Sequence, residues 1–209
     1  MLRIKRISND VFTSNTYLLF DNQYLYCWLI DIGDYDKVAD VIPPQMEIRG
    51  LFLTHTHFDH TYGINALHRS HPNCRIFTSA YGGEALYDDK KNFSRYHEAA
   101  FTYEGENVTV LGEGSILELY PGTPLKVYAT PGHCPSCLTF EVGDYLFTGD
   151  SYIPGVKVVT KLPKGDRALA RQSLKRILLL SNGKTICPGH GDVFCFGEVR
   201  DFYENYLNL

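Results

Sequence analysis

Apolar and polar positions alternate in short blocks along most of the chain. Thr16 to Phe20 (TYLLF) and Leu25 to Asp31 (LYCWLID) are rich in β-branched and aromatic residues, and Asp21-Asn22-Gln23 between them is a hairpin signal. Gly50 to Thr54 (GLFLT) is a continuous apolar run, the pattern of a strand covered on both faces. Further strands are expected at CRIFTS, NVTVL, LKVYAT, LTFEV, YLFTG and KTICP. The clearest helix runs from Asp166 to Leu180. Asp166 stands at its N-cap, Leu169, Ala170, Leu174, Ile177 and Leu178 form its apolar stripe, and Asn182-Gly183 follow its end. Other helices are expected over Tyr35 to Ile42, Tyr62 to His71 and Glu198 to Tyr206. The spans Asp88 to Gly105 and Tyr152 to Gly165 lack periodicity and read as loops over a site. Mixed strands and helices of this kind predict sheets flanked by helices.

Composition narrows the picture without changing it. The 209 residues suffice for one domain with a sizeable core, and 44% hydrophobic and 21% charged residues are ordinary for a globular protein. A net charge of −4 and no basic stripe argue against nucleic acid as a partner. The opening MLRIKRISND has no apolar targeting core and no apolar run is long enough to span a membrane, so a cytosolic location without a membrane partner is expected. The six cysteines are irregularly spaced and are expected to be reduced and mostly buried.

The chemistry is concentrated in Thr54-His55-Thr56-His57-Phe58-Asp59-His60, directly after the run GLFLT. His55 and His57 are two apart, so at a strand end both point to one side and can grip one ion. Asp59 and His60 follow in the next turn, within reach of a second. The same arrangement recurs downstream: VYATPGH ends on His133, YLFTGD on Asp150 and TICPGH on His190, each an apolar run, a glycine and a ligand-type residue. Ligands at rigid strand ends suit a preorganised site. The expected assignment is His55, His57 and His133 on one metal, Asp59, His60 and His190 on the other, with Asp150 bridging. These nitrogen and oxygen donors suit two divalent ions: zinc first, with iron or manganese also fitting.

With these motifs in place, spanning Thr54 to Gly191, the sequence resembles the metallo-β-lactamase superfamily, whose signature is H-x-H-x-D-H followed by distant His, Asp and His. WLIDIGD (Trp28 to Asp34) resembles the strand-then-Asp-x-Gly element that supports the family's site from behind. The resemblance implies an α/β fold, a single four-layered αββα sandwich over residues 1–209, and a metal-bridging hydroxide as nucleophile. Within the family the likeness is to small glyoxalase II-like hydrolases, because Asp150 stands where true β-lactamases typically carry Cys or Ser. Only 19 residues follow His190, too few for the helical glutathione-binding domain of full glyoxalase II. A small acyl ester or thioester substrate is therefore expected. Tyr96, His97, Tyr152 and Lys161 are its candidate contacts, and His68 and His71 are expected at the surface.

Alternatives are a persulfide dioxygenase-like enzyme with a single iron, and a phosphodiesterase or lactonase of the same fold. Cys134-Pro-Ser-Cys137 reads as a turn with buried thiols, with a redox or zinc role as the other possibility. Oligomeric state is not legible in the sequence.

Overall fold

The computed structural model describes residues 1–195, which fall into two compact units, the first over 1–111 and the second beginning at 112. The helix expected over Glu198 to Tyr206 lies outside the described residues.

In the first unit a six-stranded mixed sheet has the order β1-β2-β3-β4-β5-β6. Its strands are β1 (Arg3–Ser8), β2 (Asn15–Phe20), β3 (Tyr26–Ile30), β4 (Glu47–Phe52), β5 (Arg75–Thr78) and β6 (Val108–Val110). The hairpin read at Asp21 is present, with Phe20 opposite Cys27. Strands β3 to β6 run parallel, which requires crossovers. Helices α1 (Tyr35–Ala39), α2 (Ile64–Ser70) and α3 (Ala80–Ala85) lie in those connections, each shorter than its sequence pattern or absent from it. The core gathers Leu18, Leu29, Leu51, Leu53, Ile64 and Leu67. β1 escapes the pattern reading because its charged residues Arg3, Lys5 and Arg6 stay outside on an edge strand.

In the second unit the order is β12-β11-β10-β9-β8-β7. The strands are β7 (Ile116–Tyr120), β8 (Thr123–Ala129), β9 (Leu138–Val142), β10 (Tyr145–Gly149), β11 (Thr185–Pro188) and β12 (Phe194–Cys195). Helix α4 (Arg167–Leu180) crosses from β10 to its parallel neighbour β11. The Asp166 carboxylate accepts from the N–H groups of Ala168 and Leu169, a cap that contributes about 1 kcal/mol. The buried face of α4 is Ala170, Ser173, Leu174 and Ile177. Leu169, expected in that stripe, is 40% exposed near the start of the helix, while Ser173 one turn on joins the buried face. No helix among the described residues is long and apolar enough to cross a membrane.

Strand direction positions the chemistry. In the first unit β3 and β4 are parallel, so Asp31 and the segment Thr54 to His60 emerge at the same carboxyl edge. In the second, β8 and β10 are both antiparallel to β9, and β11 is parallel to β10. The ends of β8, β10 and β11 therefore share an edge, and His133, Asp150 and His190 each lie just beyond one of them.

Candidate functional site

Asp31 is the hub of the first unit's histidine segment. It takes a positive φ of 56° immediately after β3, a sparsely populated conformation for a residue with a side chain. Its Oδ1 accepts from the Thr54 N–H at 2.7 Å, and its Oδ2 accepts from the Thr54 hydroxyl at 2.6 Å and from His60 Nδ1 at 3.0 Å. A carboxylate oxygen only accepts, so the His60 proton is on Nδ1 and the Nε2 lone pair faces away from Asp31. The Thr54 hydroxyl has spent its one proton on Asp31, so it accepts from His55 Nδ1 at 3.1 Å. That leaves the Nε2 of His55, too, as the nitrogen able to coordinate an ion. Burial pushes the Asp31 carboxyl above the ordinary aspartate range, against the opposing pull of His60 and Thr54. Asp31, His55 and His60 place ligand-type atoms within 4.8 Å of one another. With its oxygens engaged by these three donors, Asp31 acts as the support of the histidines.

The remaining candidate ligands of this segment are fixed through its backbone. His57 to His60 form a tight turn in which the Thr61 hydroxyl donates to the His57 carbonyl at 3.0 Å and the Ser14 hydroxyl donates to the Asp59 carbonyl at 2.6 Å. The rings of His55 and His57 lie 4.7 Å apart, and those of His55 and His60 4.2 Å apart. The Asp59 Oδ2 to His60 Nε2 separation is 3.4 Å. Three of these histidines are nearly closed to solvent.

In the second unit a single carboxylate oxygen joins two imidazoles. Asp150 Oδ2 stands 3.6 Å from His133 Nε2 and 3.5 Å from His190 Nε2. His133 is oriented by its Nδ1, which donates to the Val159 carbonyl at 2.8 Å. Gly149, at φ 49°, turns the chain out of β10 just before Asp150, and the Gly189 N–H bonds to the Gly149 carbonyl at 2.9 Å, tying the Asp150 and His190 segments together. Gly132, at φ 138°, lies so close to α4 that a Cβ there would fall 2.2 Å from the Ala170 nitrogen. The Ser173 hydroxyl donates to the Pro131 carbonyl at 2.6 Å, so α4 also holds the His133 loop from behind.

The donor set fits metal ions. Asp59–His60, Asp150–His133 and Asp150–His190 are separated by 3.4 to 3.6 Å. That is long for a charge-assisted hydrogen bond, which closes to about 2.7–2.9 Å. It matches the roughly 3.4 Å edge of a tetrahedron whose donors each lie about 2.0–2.1 Å from a central ion.

The residues expected to meet substrate fare differently. Tyr96 is 68% exposed, and His97 is half-buried, its ring stacked on Phe58 at 4.2 Å and edge-on to Phe12 at 5.5 Å. Lys161 is exposed on its loop. Tyr152, by contrast, is 2% exposed, and its ring is part of the core with Leu146, Leu174, Ile177 and Ile186. The expectation that it faces a substrate is corrected: the loop leaves β10 by folding this ring inward, and burial pushes its hydroxyl up to about 12. His68 and His71 are half-buried, packed on Tyr103 and Tyr35, instead of lying at the surface. Sequence reasoning missed Lys157, which lines a small recess with His133, Asp150, Ile153 and Val158. It also missed Phe93, whose ring lies 4.7 Å from that of His57. Neither residue carries a motif; both are placed by loop conformation alone, Phe93 at a φ of 66°.

The family model for the metallo-beta-lactamase superfamily matches residues 10–190. The chain belongs to this superfamily. Its mixed α/β architecture with two sheets is the metallo-β-lactamase fold expected from the motifs. The expected likeness to glyoxalase II-like hydrolases has a counterpart in the hydroxyacylglutathione hydrolase of Citrobacter koseri, 27% identical over 184 residues and covering 88% of this chain. The match spans 64% of that relative's length. The crystal structure of the B3 metallo-β-lactamase BLEG-1 superposes with a TM-score of 0.86 at 23% identity, covering 95% of this chain and 97% of that one. The di-iron-bound form of TTHA1623 does so with a TM-score of 0.78 at 24% identity, covering 95% and 99%. Metallo-β-lactamase superfamily members are mostly metal-dependent hydrolases, and the His and Asp groups described above point to divalent metals in this one.

Proposed function

We propose that the protein is a dinuclear metal-dependent hydrolase that cleaves the ester or thioester bond of a small acyl substrate. Its ligands are His55, His57, Asp59, His60, His133, Asp150 and His190. The observation that carries this reading is the position of Asp150 Oδ2, 3.6 Å from His133 Nε2 and 3.5 Å from His190 Nε2. Such a carboxylate suits a bridging role. When bound, the ions acidify water to a pKa of about 7 and polarise a carbonyl oxygen. The chain's own residues make that possible by pinning the Nδ1 atoms of His55, His60 and His133, so that no imidazole must reorient as charge develops. No serine or cysteine nucleophile is required.

Substrate selection falls to the loops around Tyr96-His97 and 152–165. The relative named for hydroxyacylglutathione hydrolysis supports a thioester as substrate. Zinc is the first choice of metal, and the di-iron neighbour keeps iron beside it. The test is elemental analysis followed by assays of acyl thioesters, lactones, β-lactams and a phosphodiester. Two ions per chain, thioester turnover, and loss of both in Asp150→Ala are expected. One ion or fewer after reloading overturns the dinuclear assignment. Phosphodiester cleavage without ester or thioester turnover overturns the substrate class.

A further inference from the structure

The turn after His133 carries two thiols that neither the metal ligands nor the proposed hydrolysis uses. Cys134 and Cys137 are both 3% exposed, are not in a disulfide, and have their sulfurs 3.3 Å apart. They occupy the first and last positions of a turn closed by the Cys137 N–H on the Cys134 carbonyl at 3.5 Å, with Pro135 in the second position. The ends of such a turn lie within about 7 Å at Cα. A disulfide spans about 4.4–6.8 Å between Cα atoms and needs its sulfurs at about 2.05 Å. The pair therefore has to close by little more than an ångström, with no rearrangement of the surrounding strands. Pro135, at the tip of the turn, is exposed.

His133 sits inside the same closed loop. The Thr130 N–H bonds to the Cys137 carbonyl at 3.0 Å, and the Gly132 N–H to the Cys134 carbonyl at 3.3 Å. Any change in the Cys134–Cys137 turn is transmitted to the peptide units on both sides of His133.

We propose that Cys134 and Cys137 form a reversible dithiol–disulfide site, oxidised by small-molecule disulfides, that sets how firmly the adjoining His133 loop holds metal. In the reaction one cysteine sulfur attacks a sulfur of the reagent, breaking its S–S bond and releasing one thiol. The second cysteine sulfur then attacks the mixed disulfide, forming the Cys134–Cys137 bond and releasing the other thiol. Two electrons pass from the protein dithiol to the reagent, and the two thiol protons end on the two released thiols. The effect on metal rests on the reading of His133 as a ligand; the disulfide itself does not.

The experiment uses the full-length, zinc-loaded protein, equilibrated in buffers of graded glutathione to glutathione disulfide ratio, alkylated, and mapped by peptide mass. The peptide holding Cys134 and Cys137 is expected to lose two hydrogen masses and to regain them with dithiothreitol. Cys27, Cys74 and Cys187, buried in the two cores, should carry no internal crosslink, while the exposed Cys195 takes a mixed disulfide and shows that the reagent was active. Zinc transfer to a chromogenic chelator should differ about tenfold between the oxidised and reduced forms, as it does when groups supporting a ligand are altered. It should not depend on the buffer ratio in the C134A/C137A double variant. Alkylation of both Cys134 and Cys137 at the most oxidising ratio overturns the site. A crosslink that leaves zinc transfer unchanged overturns its action on the metal loop. A protein that holds no zinc at the start fails the functional reading instead, and the peptide map still decides the disulfide.

Discussion

His60 donates its Nδ1–H to Asp31 Oδ2 across 3.0 Å, with the imidazole fully buried and the carboxylate nearly so. One aspartate thereby sets the tautomer of His60 directly and that of His55 through Thr54. Asp31→Asn keeps the shape but exchanges one acceptor for a donor. The amide then faces either the Thr54 donors or the His60 N–H with a proton of its own. Metal affinity should fall about 10- to 100-fold, the usual consequence of losing such a support. Competition with a chromogenic chelator measures it, and an unchanged affinity would show that Asp31 serves only the turn out of β3.

Gly132→Ala tests the hold of α4 on the His133 loop. The new methyl group would meet the Ala170 backbone, and φ 138° is strained for any residue with a Cβ. Helix and loop must separate, so the cost should exceed about 3 kcal/mol, with metal lost from His133 in the part that remains folded. Thermal unfolding and metal analysis of the same sample check both. Ser173→Ala, which removes only the bond to the Pro131 carbonyl, should cost about 1 kcal/mol and leave metal content intact.

The candidate ligands can be picked out in the sequence because each follows an apolar run through a small or turn-forming residue, and a strand end is a place that pattern can locate. The strands of both sheets were legible for the same reason, apart from β1, β7 and β12, which lie at or next to the sheet edges, where burial is incomplete and the pattern weakens. Loop conformation was not. Nothing local distinguishes Tyr152, folded into the core, from Lys157 five residues on, lining the recess beside Asp150. The positive φ of Asp31 and Phe93 is equally silent, since it is imposed by tertiary contacts and not by residue type. The tautomers of His60, His55 and His133 depend on partners 29, 1 and 26 residues away, and only the nearest of these is visible locally.

Glu141 makes the second unit sensitive to acid. Burial pushes its carboxyl up, but the Tyr128 hydroxyl at 2.6 Å and the ammonium groups of Lys184 and Lys126 outweigh it and hold the carboxyl below the ordinary range. A carboxylate lowered in the folded state contributes stability above its unfolded value near 4.5 and loses it as pH falls through the folded value. Glu141→Gln should therefore cost about 1–2 kcal/mol at neutral pH, and the difference from wild type should shrink in acid. Urea unfolding of metal-free protein across that range measures it; a constant difference would mean that Glu141 acts through packing alone.

The last prediction separates two lysines on one loop. Lys161 is a candidate substrate contact in the sequence because it follows Asp150 in an irregular segment. The structure brings Lys157, instead, to the recess that His133 and Asp150 line, with Ile153 and Val158 supplying apolar walls. An exposed ammonium at the rim of this recess can pair with a substrate carboxylate, a contact of the modest strength of other exposed charge pairs. On the proposed function, Lys157→Ala should raise KM for an acidic thioester about threefold, or roughly 0.7 kcal/mol of binding, with kcat and metal content unchanged. A neutral thioester of the same length should be little affected, because the lost contact is to the charge. Lys161→Ala should leave KM for both substrates unchanged, since Lys161 does not line that recess. Steady-state kinetics of the two variants on the two substrates decides the matter. An equal loss on both substrates in Lys157→Ala would assign the residue to loop structure, and a selective loss in Lys161→Ala alone would restore the sequence-based choice.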